Sequence, residues 1–329
     1  MYNGSSSPTI TNTTFLYNVA NSYGGGMINE SSSAPIITNT TFLYNTAVYY
    51  GGGMYNDQSS PTIRNTTFLY NMADYGGGGM YNYDASSPII KNTVFWENLK
   101  NGSNNVSGAD IENSSSSPTI TYCLTQENST YSIGTGIINN QDPLFVDAAN
   151  GDFSLQGCSP AINAGTATNA PTTDVLGNPR VGIVDMGAYE YQGTKVVITV
   201  SAPTVTQPTC IVSTGEIIVN ATTTTGTLQY SIDDGATYQP SNTFTGLAAG
   251  NYTIRVKEQG TSSTETYGSL VVINTHVIIT VSAPTVTQPT CTVSAGEIIV
   301  NASTTMGTLE YSNDNGTSYQ NSNTFSGLA

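Results

Sequence analysis

Residues 1–125 alternate between short apolar-bearing segments and polar or glycine punctuation, and the alternation recurs. The segment Pro8-Thr9-Ile10-Thr11-Asn12-Thr13-Thr14-Phe15-Leu16-Tyr17-Asn18 returns at Pro35, Pro61 and Pro88, and in degenerate form at Pro118, at intervals of 27, 26, 27 and 30 residues. Between copies lies a second motif, Gly24-Gly25-Gly26-Met27, Gly51-Gly52-Gly53-Met54 and Gly77-Gly78-Gly79-Met80. The apolar segments are short, rich in Thr, Ile, Phe and Tyr, and bounded by Gly and Pro, which is the signature of strands. A fixed period of this length means stacked units that cannot bury their apolar face alone. Three strands per unit, around Met-Tyr-Asn, Pro-x-Ile-x-Asn and Phe-x-x-Asn, make one coil of a parallel β-helix, each strand pairing with its equivalent about 4.8 Å away.

Inward columns follow from that stacking: Ile10, Ile37, Ile63, Ile90 and Ile120 in one, Phe15, Phe42, Phe68 and Phe95 in a second, and Met27, Met54 and Met80 in a third. Asparagines recur at three places per coil. Asn12, Asn39, Asn65 and Asn92 form one set, Asn18, Asn45, Asn71 and Asn98 another, and Asn3, Asn29, Asn56 and Asn82 the last. Each is expected at a bend, where Asn tolerates the left-handed backbone, with stacked amides bonded along the ladder. N-glycan acceptance at Asn12-Thr13-Thr14 is the competing reading, but the columns include positions that are not sequons.

The rest of the chain divides by pattern. We expect β-helix coils over 1–140, a segment closing the helix over 141–193, a β-sandwich repeat over 194–276 and a truncated second copy over 277–329. The fold class is therefore all-β, a right-handed parallel β-helix followed by an immunoglobulin-like β-sandwich and a truncated second copy. Val200 through Cys210 recurs as Val281 through Cys291, and Gly215-Glu216-Ile217-Ile218-Val219-Asn220-Ala221 recurs as Gly296 through Ala302. Asp233-Asp234-Gly235 is a hairpin signal, and short alternating strands over about 80 residues read as an immunoglobulin-like sandwich. The second copy stops at Ala329, before its Gly-x-Tyr-Thr strand, and is expected to be disordered or poorly packed.

Composition narrows the function. Only 9% of the 329 residues are charged, against about 25% for ordinary domains. Acids outnumber bases 22 to 7, a net charge of −15, which disfavours phosphate backbones and anionic headgroups. Nucleic acid is thus excluded as a partner, and no apolar run reaches the length of a membrane span. With one histidine and four cysteines without C-x-x-C spacing, a zinc site is disfavoured. Cys210 and Cys291 hold the same place in the two repeats and read as buried small hydrophobes; for Cys123 and Cys158, spacing leaves pairing open.

Two candidate sites remain. Glu30, Asp57 and Asp84 follow the Met-x-Asn turn in successive coils, Asp84 displaced by one residue. Oxygen ligands at that spacing suit calcium, although solvated turn acids account for the same pattern; no other cofactor is implied. Tyr17, Tyr44, Tyr70 and Trp96 form an aromatic column, and Tyr23, Tyr50 and Tyr75 precede the glycines. Exposed, such ladders stack on sugar rings. Period-two counting from Phe15 instead puts Tyr17 inward, as core or structural ladder, although a bend there would spoil that count.

Gly-Gly-x-Met alternating with Phe-x-x-Asn over residues 1–112 resembles the repeat of chlamydial polymorphic outer-membrane proteins, with Gly and Met where that family carries Ala and an aliphatic residue. The blocks Asp142-Pro143-Leu144-Phe145-Val146-Asp147, Gly151-Asp152-Phe153-Ser154-Leu155, Cys158 through Gly165, Asp174 through Arg180 and Asp185 through Tyr191 resemble the terminal region of choice-of-anchor Q β-helix proteins. The C-terminal repeats resemble Ig-like repeats of adhesins from gliding bacteria. These resemblances imply an exported bacterial surface protein, an adhesin-like stalk or binding surface for extracellular glycans or proteins, located outside the cell or on the outer membrane. The chain reads as an internal stretch of such a protein, since Met1-Tyr2-Asn3 already matches Met54-Tyr55-Asn56.

β-Helices also include polysaccharide lyases and hydrolases, which need paired carboxylates, or a calcium cluster with a base. Only Arg64, Lys91 and Lys100 precede residue 141, and none shares a corner with the acid column, so the chain is read as non-catalytic. The closing segment reads as a cap over the last open coil, with Arg180 paired to Asp174 or Asp185.

Overall fold

A computed structural model describes residues 1–127, 134–261 and 263–328. The chain divides into two compact units, Met1–Val196 and Val197–Ala329.

The first unit is a parallel β-solenoid of about five turns. Its five-stranded sheet of Tyr2–Gly4, Met27–Glu30, Met54–Asp57, Met80–Tyr83 and Ile111–Ser114 is the methionine sheet. Thr9–Thr11, Ile36–Thr38, Thr62–Arg64, Ile89–Lys91 and Thr119–Thr121 form the isoleucine sheet. Thr14–Leu16, Thr41–Leu43, Thr67–Leu69, Val94–Trp96, Leu124–Thr125 and Ile138–Asn139 form the phenylalanine sheet. A coil has four strands where three were expected: Val19–Ala20, Thr46–Ala47, Met72–Ala73 and Leu99–Lys100 add a fourth sheet. At two residues each, these strands are too short to carry a periodicity of their own.

Register is kept across every coil. Ile10 pairs with Ile37, Ile37 with Ile63, Ile63 with Ile90 and Ile90 with Ile120. The phenylalanine rings stack from Phe15 to Phe95 with centroids 4.5–4.7 Å apart and planes within 7°. Phe42, Phe68, Phe95, Met27, Met54 and Met80 are fully buried. Each such side chain contributes roughly 1.5–3 kcal/mol, and neighbouring coils supply the contacts that a single coil lacks. Glycine is required before each methionine. Gly51 has φ +69°, and a Cβ on Gly52 would lie 2.4 Å from the Met72 carbonyl oxygen, so no larger residue fits.

The asparagines divide differently from expectation. Asn12, Asn39, Asn65 and Asn92 do bend the chain, at φ between +45° and +51°. Asn3, Asn29, Asn56 and Asn82 instead lie inside the methionine-sheet strands, facing inward. Each amide donates to the next at 2.8 Å, ending on Asn113. At the third position the bend falls one residue earlier, on Tyr17, Tyr44 and Tyr70 at φ +53° to +56° and on Glu97 at +52°. The following Asn18, Asn45 and Asn71 pass amide hydrogen bonds to Asn98, again at 2.8–2.9 Å. Asn71 Nδ2 also donates to the Phe42 carbonyl, and the Asn71 side-chain oxygen accepts from the Asn45 backbone. Buried amides satisfied this fully add stability and fix register; a partly satisfied ladder would cost more than an apolar one.

Residues 141–191 run along the side of the solenoid, not over its last open coil as expected. Phe145–Asp147 and Asp152–Leu155 pair antiparallel, and the remainder is irregular. Phe153 packs on Leu43 and Leu69, on the outward face of the phenylalanine sheet. Asn39, Asn65 and Asn92 donate their amides to the carbonyls of Thr173, Asp185 and Thr166. The left-handed corner thus presents a row of side-chain amides that an irregular segment reads one coil at a time.

The second unit is antiparallel. Ile198–Thr206, Gly215–Thr223 and Thr243–Leu247 form one sheet, and Leu228–Ser231, Arg255–Glu258 and Thr264–Thr266 another. Ile217, Val219, Ile254, Val256, Val271 and Ile273 bury a common core. In the second copy, Ile279–Thr287, Gly296–Thr304 and Thr324–Leu328 form a sheet with the first copy's register, Ile279 opposite Thr304 as Ile198 is opposite Thr223. Of the two outcomes expected for this copy, poor packing is the one seen: its strands pair, but Ile279–Thr287 is exposed throughout and Ile298 and Val300 are only half-buried.

Candidate binding surface

Alternation along the methionine-sheet strands decides what faces out. Methionine and asparagine point inward, so the residues between and after them point outward. One outward row is Tyr2, Ile28, Tyr55, Tyr81 and Glu112, and the next is Gly4, Glu30, Asp57, Tyr83 and Ser114. Tyr23, Tyr49, Tyr50 and Tyr75, from the loops entering the glycines, fold over the first row. Tyr23 stacks on Tyr55 at 4.8 Å, and Tyr50 lies on Tyr81 at 4.3 Å. Tyr55 and Tyr81 are thereby buried to 6% and 8% exposure. Burial raises both phenols above their ordinary range, aided at Tyr55 by the neighbouring Asp57 carboxylate. Tyr49 and Tyr75 remain open to solvent, their rings 5.7 Å apart and tilted by 46°.

The acids border this tyrosine layer. Glu30 accepts from the Tyr2 hydroxyl at 3.1 Å. Asp57 is pushed up by partial burial and by the Glu30 and Asp84 charges, and one of its oxygens is shielded without a hydrogen-bond donor. Asp84 has turned past the strand at φ +43° and accepts from Gln58 at 2.6 Å. Among the described residues, no three acidic, histidine or cysteine side chains gather closely enough to hold a metal ion, so Glu30, Asp57 and Asp84 are not assembled as the calcium ligands considered from sequence. Lys100 bonds Glu112 at 2.8 Å. Arg64 and Lys91 pair with each other's positions on the isoleucine sheet.

The two aromatic columns need correction. Trp96 pairs with Leu69, so it belongs to the Leu16, Leu43 and Leu69 column, and Glu97 takes the tyrosine position. Tyr75 bonds to Tyr49, and Gly76 bridges Tyr50, so Tyr75 sits beside the Tyr23–Tyr50 column. Tyr17, Tyr44 and Tyr70 point outward, not inward, because the left-handed residue breaks the alternation. Their rings stack 4.8–5.0 Å apart. Tyr44 and Tyr70 lean on Leu43, Leu69 and Phe153, and stacking along the axis leaves their edges, not their faces, to solvent. Tyr49, Tyr55 and Tyr81 are the residues the sequence reading passed over. Placing Met and Asn inward was the signal that would have put Tyr55 and Tyr81 outside.

The buried charges have structural tasks. Arg180 pairs with Glu190 at 2.7 Å, both side chains at most 2% exposed, and reaches Asn39 Oδ1 at 3.1 Å. The partner is thus Glu190, not Asp174 or Asp185. All three carboxylates accept backbone amides, Glu190 from Val181 and Asp185, Asp174 from Leu176, Asn178 and Glu190, and Asp185 from Asn163 and Tyr191; Glu190 is the one whose oxygen also lies against the guanidinium. Burial pushes Asp185 up to about 6. Asp110, standing where earlier coils have glycine, accepts from Asn98 at 2.9 Å and ends the amide ladder; burial pushes it also to about 6. The cysteines are all free. Cys123 is buried in the solenoid core, whereas Cys210 and Cys291 are exposed at loop tips, contrary to the buried role expected of them.

Parallel coils, inward columns and amide ladders define a β-solenoid whose methionine-sheet side presents exposed tyrosines and acids. Residues 1–146 match the family model of the right-handed β-helix region. No curated protein and no solved structure matches the chain. Right-handed β-helices occur in adhesins and also in pectate lyases and hydrolases, so the fold alone leaves the activity open.

Proposed function

We propose that this chain is a non-catalytic, adhesin-like binding protein of the bacterial surface or extracellular space, and that the tyrosine face of the methionine sheet is its contact surface. The observation that carries this reading is the exposure of Tyr2, Tyr49, Tyr75 and Tyr83 on one ordered face. Clustered tyrosine is the composition of recognition surfaces, combining large contact area with a polar tip. The rigid coils hold it at little entropic cost to binding.

The antiparallel C-terminal repeats fit the remainder of the proposal as Ig-like spacers. The 81-residue interval between Cys210 and Cys291 and the repeated strand register support that reading. A combined glycan and peptide array tests the binding function. Ligands retained by the full chain and lost by a Tyr49→Ser/Tyr75→Ser variant are expected. Polysaccharide turnover by the full chain, abolished by Asp57→Ala, would replace the proposal with an enzyme of the lyase or hydrolase type.

A further inference from the structure

The open tyrosines are poorly arranged for stacking a row of sugars. Tyr23 and Tyr49 are tilted by 46°, Tyr49 and Tyr75 by 46°, and Tyr50 and Tyr75 by 49°. The faces of Tyr55 and Tyr81 are covered by Tyr23 and Tyr50. Tyr23 and Tyr50 are nearly parallel, at 13°, but lie on Tyr55 and Tyr81, so among the described residues the open rings Tyr49 and Tyr75 form no flat platform along the axis and offer separate partial faces and phenol edges. Single planar or point cations fit such sites, because each interacts with one ring at a time.

Charge points the same way. Glu30 and Asp57 lie in one outward row beside Tyr55, and Glu112 lies opposite Tyr81. Among the described residues, Lys100 is the one lysine or arginine in an ion pair on this face, its ammonium bonding Glu112 and the Ser107 carbonyl, so Glu30 and Asp57 have no ion-pair partner. The chain shows the same chemistry elsewhere: Lys257 sits 4.2 Å from the Tyr238 ring centroid.

We propose that the tyrosine face binds a basic polypeptide segment, with arginine side chains laid on the Tyr49 and Tyr75 rings and their charge met by Glu30 and Asp57. Arginine suits it better than lysine, since a planar guanidinium both stacks on a ring and forks to a carboxylate. The inference rests on this face being the contact surface and adds the chemistry of the partner.

The test is fluorescence anisotropy of labelled octa-arginine with the full chain, repeated with octa-lysine, a chitosan hexamer and neutral cellohexaose. Tyr49→Ser/Tyr75→Ser and Glu30→Gln/Asp57→Asn are each expected to weaken octa-arginine about tenfold. Glu265→Gln/Glu310→Gln changes the net charge as much as the acid variant does, in the other unit, and is expected to stay within about twofold. Circular dichroism melts confirm that each variant is folded. Equal affinity for wild type and both face variants would sink the proposal, as would chitosan bound more tightly than octa-arginine and lost on the same variants. A face-dependent array ligand without face-dependent octa-arginine binding overturns the basic partner but leaves the contact surface standing. No face-dependent ligand of any kind removes both.

Discussion

Two outward faces of one solenoid have been put to opposite uses. Outside the phenylalanine sheet, Leu43 and Leu69 are covered by Phe153 and its neighbours, and are at most 5% exposed. Outside the methionine sheet, the loops carrying Tyr23 and Tyr50 cover Tyr55 and Tyr81, while Tyr2, Tyr49, Tyr75 and Tyr83 stay exposed beside Glu30 and Asp57. Behind the phenylalanine sheet the inward column is Phe, whereas behind the methionine sheet Met alternates with the buried Asn ladder. Leu16 repeats the side chain of Leu43 and Leu69 yet is 46% exposed, so place in the repeat sets the residue and the covering segment sets its burial.

The sharpest way to break this comparison is at the buried pair. Arg180→Ala should cost about 3–5 kcal/mol, because Glu190 would be left buried without its counter-charge; urea denaturation checks it, and a loss below about 1 kcal/mol would mean that the covering segment is not fastened there. A repeat position offers a cleaner contrast. Leu69→Ala, with the side chain fully buried, is expected to cost about 2–5 kcal/mol, whereas Leu16→Ala, at the same motif position but 46% exposed, should cost well under half of that.

Titration sharpens the comparison further. Asp185, in the covering segment, is raised by burial from 3.8 to about 6. The folded state then holds a proton that the unfolded state has released, so stability present below pH 4 is lost as the pH rises through 6. The loss is on the order of 3 kcal/mol at most, with Asp110 adding a loss of the same sign over the same window. Asp185→Asn should reduce the slope of stability against pH between 4 and 6, measured by denaturation at each pH. The smallest effect is expected on the open face, where Tyr49→Ser/Tyr75→Ser should shift stability by about 0.5 kcal/mol per site or less; a loss of several kcal/mol would show those rings to be core.

The inward architecture was legible because repetition marks it. Ile10 to Ile120, Phe15 to Phe95 and the methionines recur at strand spacing with apolar side chains, and nothing but stacking would bury them. Column membership outside was less legible, because coils differ in length. A coil of 26 residues carries Tyr50 onto Gly76, and one of 27 carries Tyr70 onto Glu97, so aligning similar residues misplaced Tyr75 and Trp96. Single left-handed residues did further damage: one at Tyr17 reverses an alternation count that is sound up to Leu16. The course of residues 141–191 was hidden for another reason. Its contacts are made by side-chain amides to irregular backbone, and no periodicity encodes which carbonyl meets Asn39 or Asn92. Loop cysteines carry no pattern at all, and Cys210 was misjudged from composition alone.

The asparagine ladders have a directional consequence. Every link from Asn3 to Asn113, and from Asn18 to Asn98, donates toward the later coil, so the interior holds two polar wires with a fixed sense. Inserting or deleting an entire turn leaves both wires continuous, whereas gaining or losing one residue within a strand turns asparagine outward and cuts them. The length of this rod is thus free to drift in evolution, but only in quanta of one full turn.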